Sequence, residues 1–158
     1  MATVFGKILV ALDGSEHSQR ALESAIQIGE KFNSKITLIH VYSTAVPPVV
    51  MSEPSTLAPG GVPLPASAEV AKMVDAFRLA GNKMLSDAKG QARSADISVV
   101  TLLKEGNAVQ GIVKTAKEGE YDLIVIGAKG THRIKEFLMG NVSEGVLKNA
   151  SCPVLVVK

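Results

Sequence analysis

No disulfide framework can form in this chain, because its 158 residues contain a single cysteine, Cys152. The three histidines, His17, His40 and His132, fall in different segments and, with that one cysteine, make no metal-ligand cluster; His40, inside an apolar run, reads as a satisfied core histidine. There is no excess of charge of either sign. A formal net charge of +2 is too small for a nucleic-acid coat, so any basic feature must be local. No apolar run approaches the roughly 20 residues that a membrane helix needs. The opening stretch MATVFGKILVALDG has no long apolar core of the kind a secretion signal carries. These absences predict a cytoplasmic, reducing-compartment protein with no nucleic-acid or membrane partner. Familiar catalytic signatures are missing too. There is no GxxxxGK[ST] phosphate loop and no GxGxxG after a strand. GNVSEG, at 140–145, misses the GxSxG nucleophile elbow by one place. A phospho-receiver wants acids after its first strand and an aspartate after its third, where this chain has Lys104-Glu105.

What is present is a regular alternation. Five apolar runs, KILVAL (7–12), KITLIHVY (35–42), ISVVTLL (97–103), LIVIG (123–127) and PVLVVK (153–158), are rich in Val, Ile and Leu and mostly do not alternate with polar residues. Strands covered on both faces read this way, which points to a parallel sheet. Between them lie amphipathic stripes. Ala21, Leu22, Ala25, Ile28, Gly29 and Phe32 form one, and Val109, Ile112, Val113 and Ala116 another. A longer pattern over 67–93 carries Val70, Met73, Val74, Phe77, Ala80, Met84 and Ala88, with Gly81 and Gly90 predicting a kink or an early end. A short helix is expected over 142–148. The order βαβ, long loop, αβαβαβ is that of a single α/β domain over 1–158, a three-layer sandwich with right-handed crossovers. Residues 43–66 break the regularity. They hold six of the seven prolines and read as a flexible loop.

The segment DLIVIGAKGTHRIKEFLMGNVSEGVL (122–147) carries the most chemistry. Gly127 closes the fourth strand at its carboxyl end, where open parallel sheets take ligands. Gly130 follows, then Gly140 and Asn141. Asn141 with Glu144 three places on reads as a capping box opening the last helix. A helix N-terminus presents free N–H groups and partial positive charge to a phosphate. Lys129, His132, Arg133 and Lys135 lie between the glycines and add cations. The expectation is one polyphosphate gripped twice, by the turn after the strand and by the helix mouth. Asp13 follows the first strand, with Ser15 the expected cap of the next helix. Its carboxylate can take a ribose hydroxyl or a base, provided strands one and four are neighbours. That requires the strand order 3-2-1-4-5.

Gly127-x2-Gly130-x9-Gly140-Asn141, preceded by DLIVI and followed by VSEGVLKNASCPVLVVK, resembles the G-x2-G-x9-G-[ST] signature of the ATP-binding branch of the universal stress protein family. KILVALDGSEHSQRAL is similar to that family's first strand and helix, so the resemblance covers nearly the whole chain. It implies a five-stranded parallel sheet of order 3-2-1-4-5 with helices on both faces (adenine nucleotide alpha hydrolase-like). It also implies a homodimer paired through the last strand, 153–158, and ATP, with Mg or Mn, as ligand. Carried over by position, Asp13 would meet the ribose or adenine, and Ala11, Val41 and Ile126 would line the base pocket. Gly127, Lys129, Gly130, Gly140, Asn141, Val142 and Ser143 would hold ribose and phosphates. Asn141 departs from the pattern's Ser or Thr and removes a hydroxyl donor, which an amide N–H can replace. No dedicated general base is apparent, so a nucleotide-dependent regulatory protein is expected. The alternatives are a slow ATPase on the same fold, with Glu136 as its acid, and an interaction module with an empty pocket.

Overall fold

The computed structural model describes residues 4–43, 66–93, 95–130 and 139–158. Five strands and four helices alternate: β1 (Lys7–Ala11), α1 (Glu16–Phe32), β2 (Lys35–Tyr42), α2 (Ala66–Arg93), β3 (Val99–Glu105), α3 (Ala108–Glu118), β4 (Leu123–Gly127), α4 (Asn141–Asn149) and β5 (Val154–Val157). The sheet is wholly parallel and its order is β3-β2-β1-β4-β5. β1 is therefore central. Ala11 pairs Ile39 on one side and Ile126 on the other. The chain winds outward from β1 through β2 to β3, then returns across the sheet to β4. The strand order thus reverses between β1 and β4, and there the carboxyl ends open a crevice.

The lack of alternation in the strands has a direct cause. Successive side chains point to opposite faces, and here both faces are covered. Ile8, Val10, Ile36, Leu38, Leu123 and Val125 pack against Ala21, Leu22 and Ala25 of α1 and Leu85 and Ala88 of α2. Leu9, Ala11, Ile39, Ile124 and Ile126 pack on the other side against Ile112 and Ala116 of α3 and Val146 of α4. Edge strands are less covered: Val100 in β3 and Leu155 in β5 are exposed. Cys152 packs beside the second cluster. Burial and the nearby Asp122 carboxylate raise its thiol above the ordinary value, so it holds less thiolate than a free cysteine.

Gly81 and Gly90 neither break nor end α2, which runs unbroken to Arg93. They differ in surroundings. A Cβ at Gly81 would lie 2.8 Å from Leu103 and 2.9 Å from the His40 ring, whereas nothing lies within 4 Å of one at Gly90. Gly90→Ala should therefore raise stability by about 1 kcal/mol, the helix-propensity difference. Gly81→Ala should lose that gain to crowding. Urea unfolding of the two variants checks the contrast. Of the expected apolar face of α2 only Ala88 is buried and Met84 is half-buried, while Met73 and Phe77 are exposed; the helix buries Leu85 and Ala92 instead, which the expected face did not include. Nearly all of the proline-rich loop, residues 44–65, lies outside the described residues.

Candidate functional site

The crevice at the carboxyl ends of β1 and β4 is a cleft of about 340 Å³. Its apolar wall comes from the strand ends, Ala11, Ile39, Val41 and Ile126, faced by Ala108 and Ile112 from the start of α3. Its polar wall is Asp13, Lys129, Gly130 and the head of α4 from Gly140 to Ser143, with Gly127 at the floor. All eleven residues singled out in the sequence line this one cleft: Ala11, Asp13, Val41, Ile126, Gly127, Lys129, Gly130, Gly140, Asn141, Val142 and Ser143. His132, Arg133, Lys135 and Glu136 lie outside the described residues.

Asp13 is placed by its own turn. Its Oδ1 accepts from the Ser15 backbone N–H at 2.9 Å and from the Ser15 hydroxyl at 2.5 Å. Gly14 takes φ +83°, which a side chain would strain. Ser15 caps α1 as expected, its Oγ accepting from Ser18 N–H at 3.1 Å. The other oxygen of Asp13 faces Gly130 across the cleft, where a Cβ would stand 2.7 Å from Oδ2. The carboxylate is solvent-exposed, so it remains free to accept from a ligand hydroxyl or amine.

The three signature glycines have different reasons. A Cβ at Gly127 would come within 2.7–2.8 Å of the backbone and Cβ of His17 and the amide of Ser18. That glycine is required by the close approach of α1 to the end of β4, not by a ligand. At Gly140 a Cβ would meet Ala128 O at 3.3 Å and the Lys129 and Gly130 backbone at 3.5 Å. Gly140 thus lets the head of α4 lie against the turn after β4.

Two expectations about the grip need correction. Asn141 is not the cap. Gly140 holds the N-cap position, no side chain caps the helix, and Asn141 is the first helical residue. Glu144 does not reach back to close a capping box but pairs with Lys148 at 2.9 Å. The turn after β4 also offers fewer free amides than expected. Ala128 N–H donates to Val157 O at 2.7 Å, and Lys129 N–H to His17 Nδ1 at 3.1 Å. The α4 mouth differs. The first-turn N–H groups of a helix have no intrahelical partner, and at Asn141, Val142 and Ser143 no side chain of the described residues takes their place. The Ser143 hydroxyl, only 2% exposed, lies 2.8 Å from Ala128 O and 2.9 Å from Gly140 O. It braces helix to turn, which leaves its backbone N–H as what it can offer an anion.

Several contributors were not read from sequence as part of a site, among them His17, His40, Ala108 and Ile112. His17 accepts the Lys129 amide. His40, whose Nδ1 lies 2.7 Å from Leu12 O, carries its proton on Nδ1 because a carbonyl can only accept. It lines the cleft half-buried, rather than sitting in the core as an apolar strand suggests. Ala108 and Ile112 come from the first turns of α3, and Ile112 reads as ordinary core by its periodicity. The usable signal was positional: His17, Ala108 and Ile112 follow a strand and His40 lies near the carboxyl end of one.

The universal stress protein family pattern matches residues 5–158. The chain belongs to the universal stress protein family. It is 30% identical over 155 residues to universal stress protein YxiE of Bacillus subtilis, covering 98% of this chain and all of that one. It is 33% identical over 155 residues to universal stress protein MJ0531 of Methanocaldococcus jannaschii, covering 98% and 83%. Among solved structures it shares its fold with universal stress protein UspA from Lactobacillus plantarum, with a TM-score of 0.82 at 21% identity over 99% and 100% of the two chains. Two other family structures of the same fold were solved with adenine nucleotides. One is a universal stress protein in complex with cAMP (TM-score 0.65, 24% identity, 98% and 97% covered). The other is the Archaeoglobus fulgidus protein in complex with dAMP (TM-score 0.62, 20% identity, 98% and 99% covered). No helix among the described residues is long and apolar enough to cross a membrane.

Proposed function

We propose that this universal stress protein binds an adenine nucleotide, ATP among the candidates, in the cleft between β1, β4 and the head of α4, and acts as a nucleotide-dependent regulatory module. The supporting observation is the uncapped N-terminus of α4, opposite an exposed Asp13 carboxylate at the mouth of an apolar slot. A phosphate suits the helix mouth, where partial positive charge and unpaired N–H groups coincide. The purine suits the apolar strand ends, and the sugar hydroxyls suit Asp13. The adenine-nucleotide complexes of family members are consistent with this assignment. Because the turn amides of Ala128 and Lys129 are engaged, the proposed phosphate grip is one-sided, with Lys129 as the described cation beside it.

Among the described residues lining the cleft, Asp13 is the one carboxylate, and it stands where the nucleoside would lie. Hydrolysis needs a positioned water and usually a metal ligand. The described residues hold no group of three His, Cys, Asp or Glu fit for a metal. We favour binding as the activity because the described carboxylate of the cleft, Asp13, stands at the nucleoside end of the proposed pose, with any Mg or Mn arriving on the nucleotide's own phosphates. The proposal includes a homodimer paired through β5. That strand is a sheet edge with Leu155 exposed, and an apolar edge is normally covered or paired.

ATP, AMP and cAMP added to the purified protein at 100 times their measured Kd should each stabilise it by about 2.7 kcal/mol if they bind the native state alone. Calorimetry supplies the Kd and thermal unfolding the shift. Native mass spectrometry of the same sample reads both a retained nucleotide and the dimer. No shift with any adenine nucleotide up to millimolar concentration would leave the cleft without this role.

A further inference from the structure

The 28 residues of α2 extend about 42 Å at 1.5 Å per residue, but only part of that length packs on the sheet. From Gly81 onward the helix buries Leu85, Ala88 and Ala92. Residues 68–80 include none that is buried, and Met73 and Phe77 are 44% and 49% exposed. A helical arm of this length is marginal in water unless its apolar face is packed. Exposed apolar residues at regular spacing mark an interaction face.

The spacing and the charges on this arm say what fits it. Val70, Met73, Phe77 and Ala80 recur at intervals of three and four, the a and d positions of two heptads. The g positions flanking that seam are Glu69, Ala76 and Lys83, all exposed. In an antiparallel pair of helices, a positions of one meet d positions of the other, and g faces g. Antiparallel pairing of two copies therefore sets Val70 across from Ala80 and Met73 across from Phe77. It also brings Glu69 of each copy beside Lys83 of the other, twice per pair, with the small Ala76 at the two-fold axis. Parallel pairing would set Glu69 against Val74 and gain no such match. The isologous arrangement closes on itself.

We propose that the first half of α2 is a self-association surface, whose occupant is the same arm of a second copy of this chain, packed antiparallel with Glu69–Lys83 pairs at its ends. Two heptads bury less than the roughly 1,200 Å² of a stable interface. The contact is accordingly reversible and favoured at high local concentration. It uses neither the cleft nor β5, so it stands apart from the nucleotide reading and adds a second two-fold axis to any dimer formed through the sheet edge.

Cross-linking through an engineered thiol tests it directly. Cys152→Ser removes the one native thiol, and Ala76→Cys in that background places a thiol on the proposed axis. Under mild oxidation this variant should form disulfide dimers about tenfold faster than Ser86→Cys, which is also exposed but lies beyond the arm, on the half of α2 that packs on the sheet. Adding Lys83→Glu should slow that cross-linking by about threefold at low salt, and Glu69→Lys on top should restore it. Equal rates at 76 and 86 would overturn the proposal. So would a thiol at 76 that neither cross-links nor reacts with a small alkylating reagent, which would mean that the arm is covered within its own chain. Fast cross-linking indifferent to the charge exchange would also overturn it, because the register would then be wrong.

Discussion

Gly140→Val should weaken adenine-nucleotide binding by about a hundredfold, roughly 2.7 kcal/mol, while the protein stays folded. The N-cap backbone at Gly140, with φ −63° and ψ 155°, is extended and open to any residue. The obstacle is what stands beside it. A Cβ there already presses on Ala128 O at 3.3 Å, and the γ-methyls of valine would add contacts with the Lys129–Gly130 backbone. The head of α4 must move off the turn. That movement lengthens two bonds to Ala128 O, from Gly140 N–H at 2.7 Å and from the Ser143 hydroxyl at 2.8 Å. The helix itself survives, since its apolar side is anchored by Val146, and overpacking at such a site costs about 1–3 kcal/mol of stability. The proposed phosphate seat should not survive, because it is the position of three N–H groups relative to Asp13 and the strand ends. Calorimetric titration of wild type and variant separates the two effects. Unchanged affinity in a folded Gly140→Val protein would mean that the mouth of α4 is not where the nucleotide is held.

Gly127→Ala should do the reverse, lowering global stability by about 3 kcal/mol, a fall in melting temperature of about 10 °C for a chain of this length. The new methyl group would lie under 3 Å from backbone atoms of His17 and Ser18, and helix backbone cannot turn aside as a side-chain end can. α1 must shift outward at its first turn or β4 must retreat. Either motion disturbs the core where Ala21 and Leu22 meet Val10 and Val125. It also strains the Lys129 N–H to His17 bond that holds the next turn. Chemical denaturation of the nucleotide-free protein is the measurement. A loss under 1 kcal/mol would show that α1 and β4 have slack that the packing does not suggest. The two signature glycines thus divide the work, one permitting a ligand seat and the other permitting the fold.

Much of this molecule was legible before its structure. The five strands announced themselves because a strand buried on both faces has no room for polar residues, and β1 and β4 are such strands. The proximity of Asp13 to the segment after β4 followed from one topological condition, β1 beside β4, which the sheet meets. Boundaries shifted by a residue or two where edge strands and helix ends carry weaker signals. β3 is one case, beginning at Val99 and ending at Glu105 rather than covering 97–103. The errors have a common source. Asn141 followed by Glu144 has the spacing of a cap, but the glycine before them takes the cap position, where it lies close against the Ala128 carbonyl. His40 reads as core because its neighbours in sequence are apolar, yet it stands at the strand end that opens on the crevice.

Local chemistry was enough to reveal a parallel α/β domain, its glycine-marked segment and the acid after its first strand. Apolar periodicity and helix-terminus preferences act over a few residues and are written in adjacent letters. Which backbone amides remain available to an anion was a different matter. The donors at Ala128 and Lys129 are taken by Val157, twenty-nine places along, and by His17, more than a hundred places back. Those partners meet only once the strands have assembled around β1, so hydrogen-bond capacity at the site is a property of the assembled sheet.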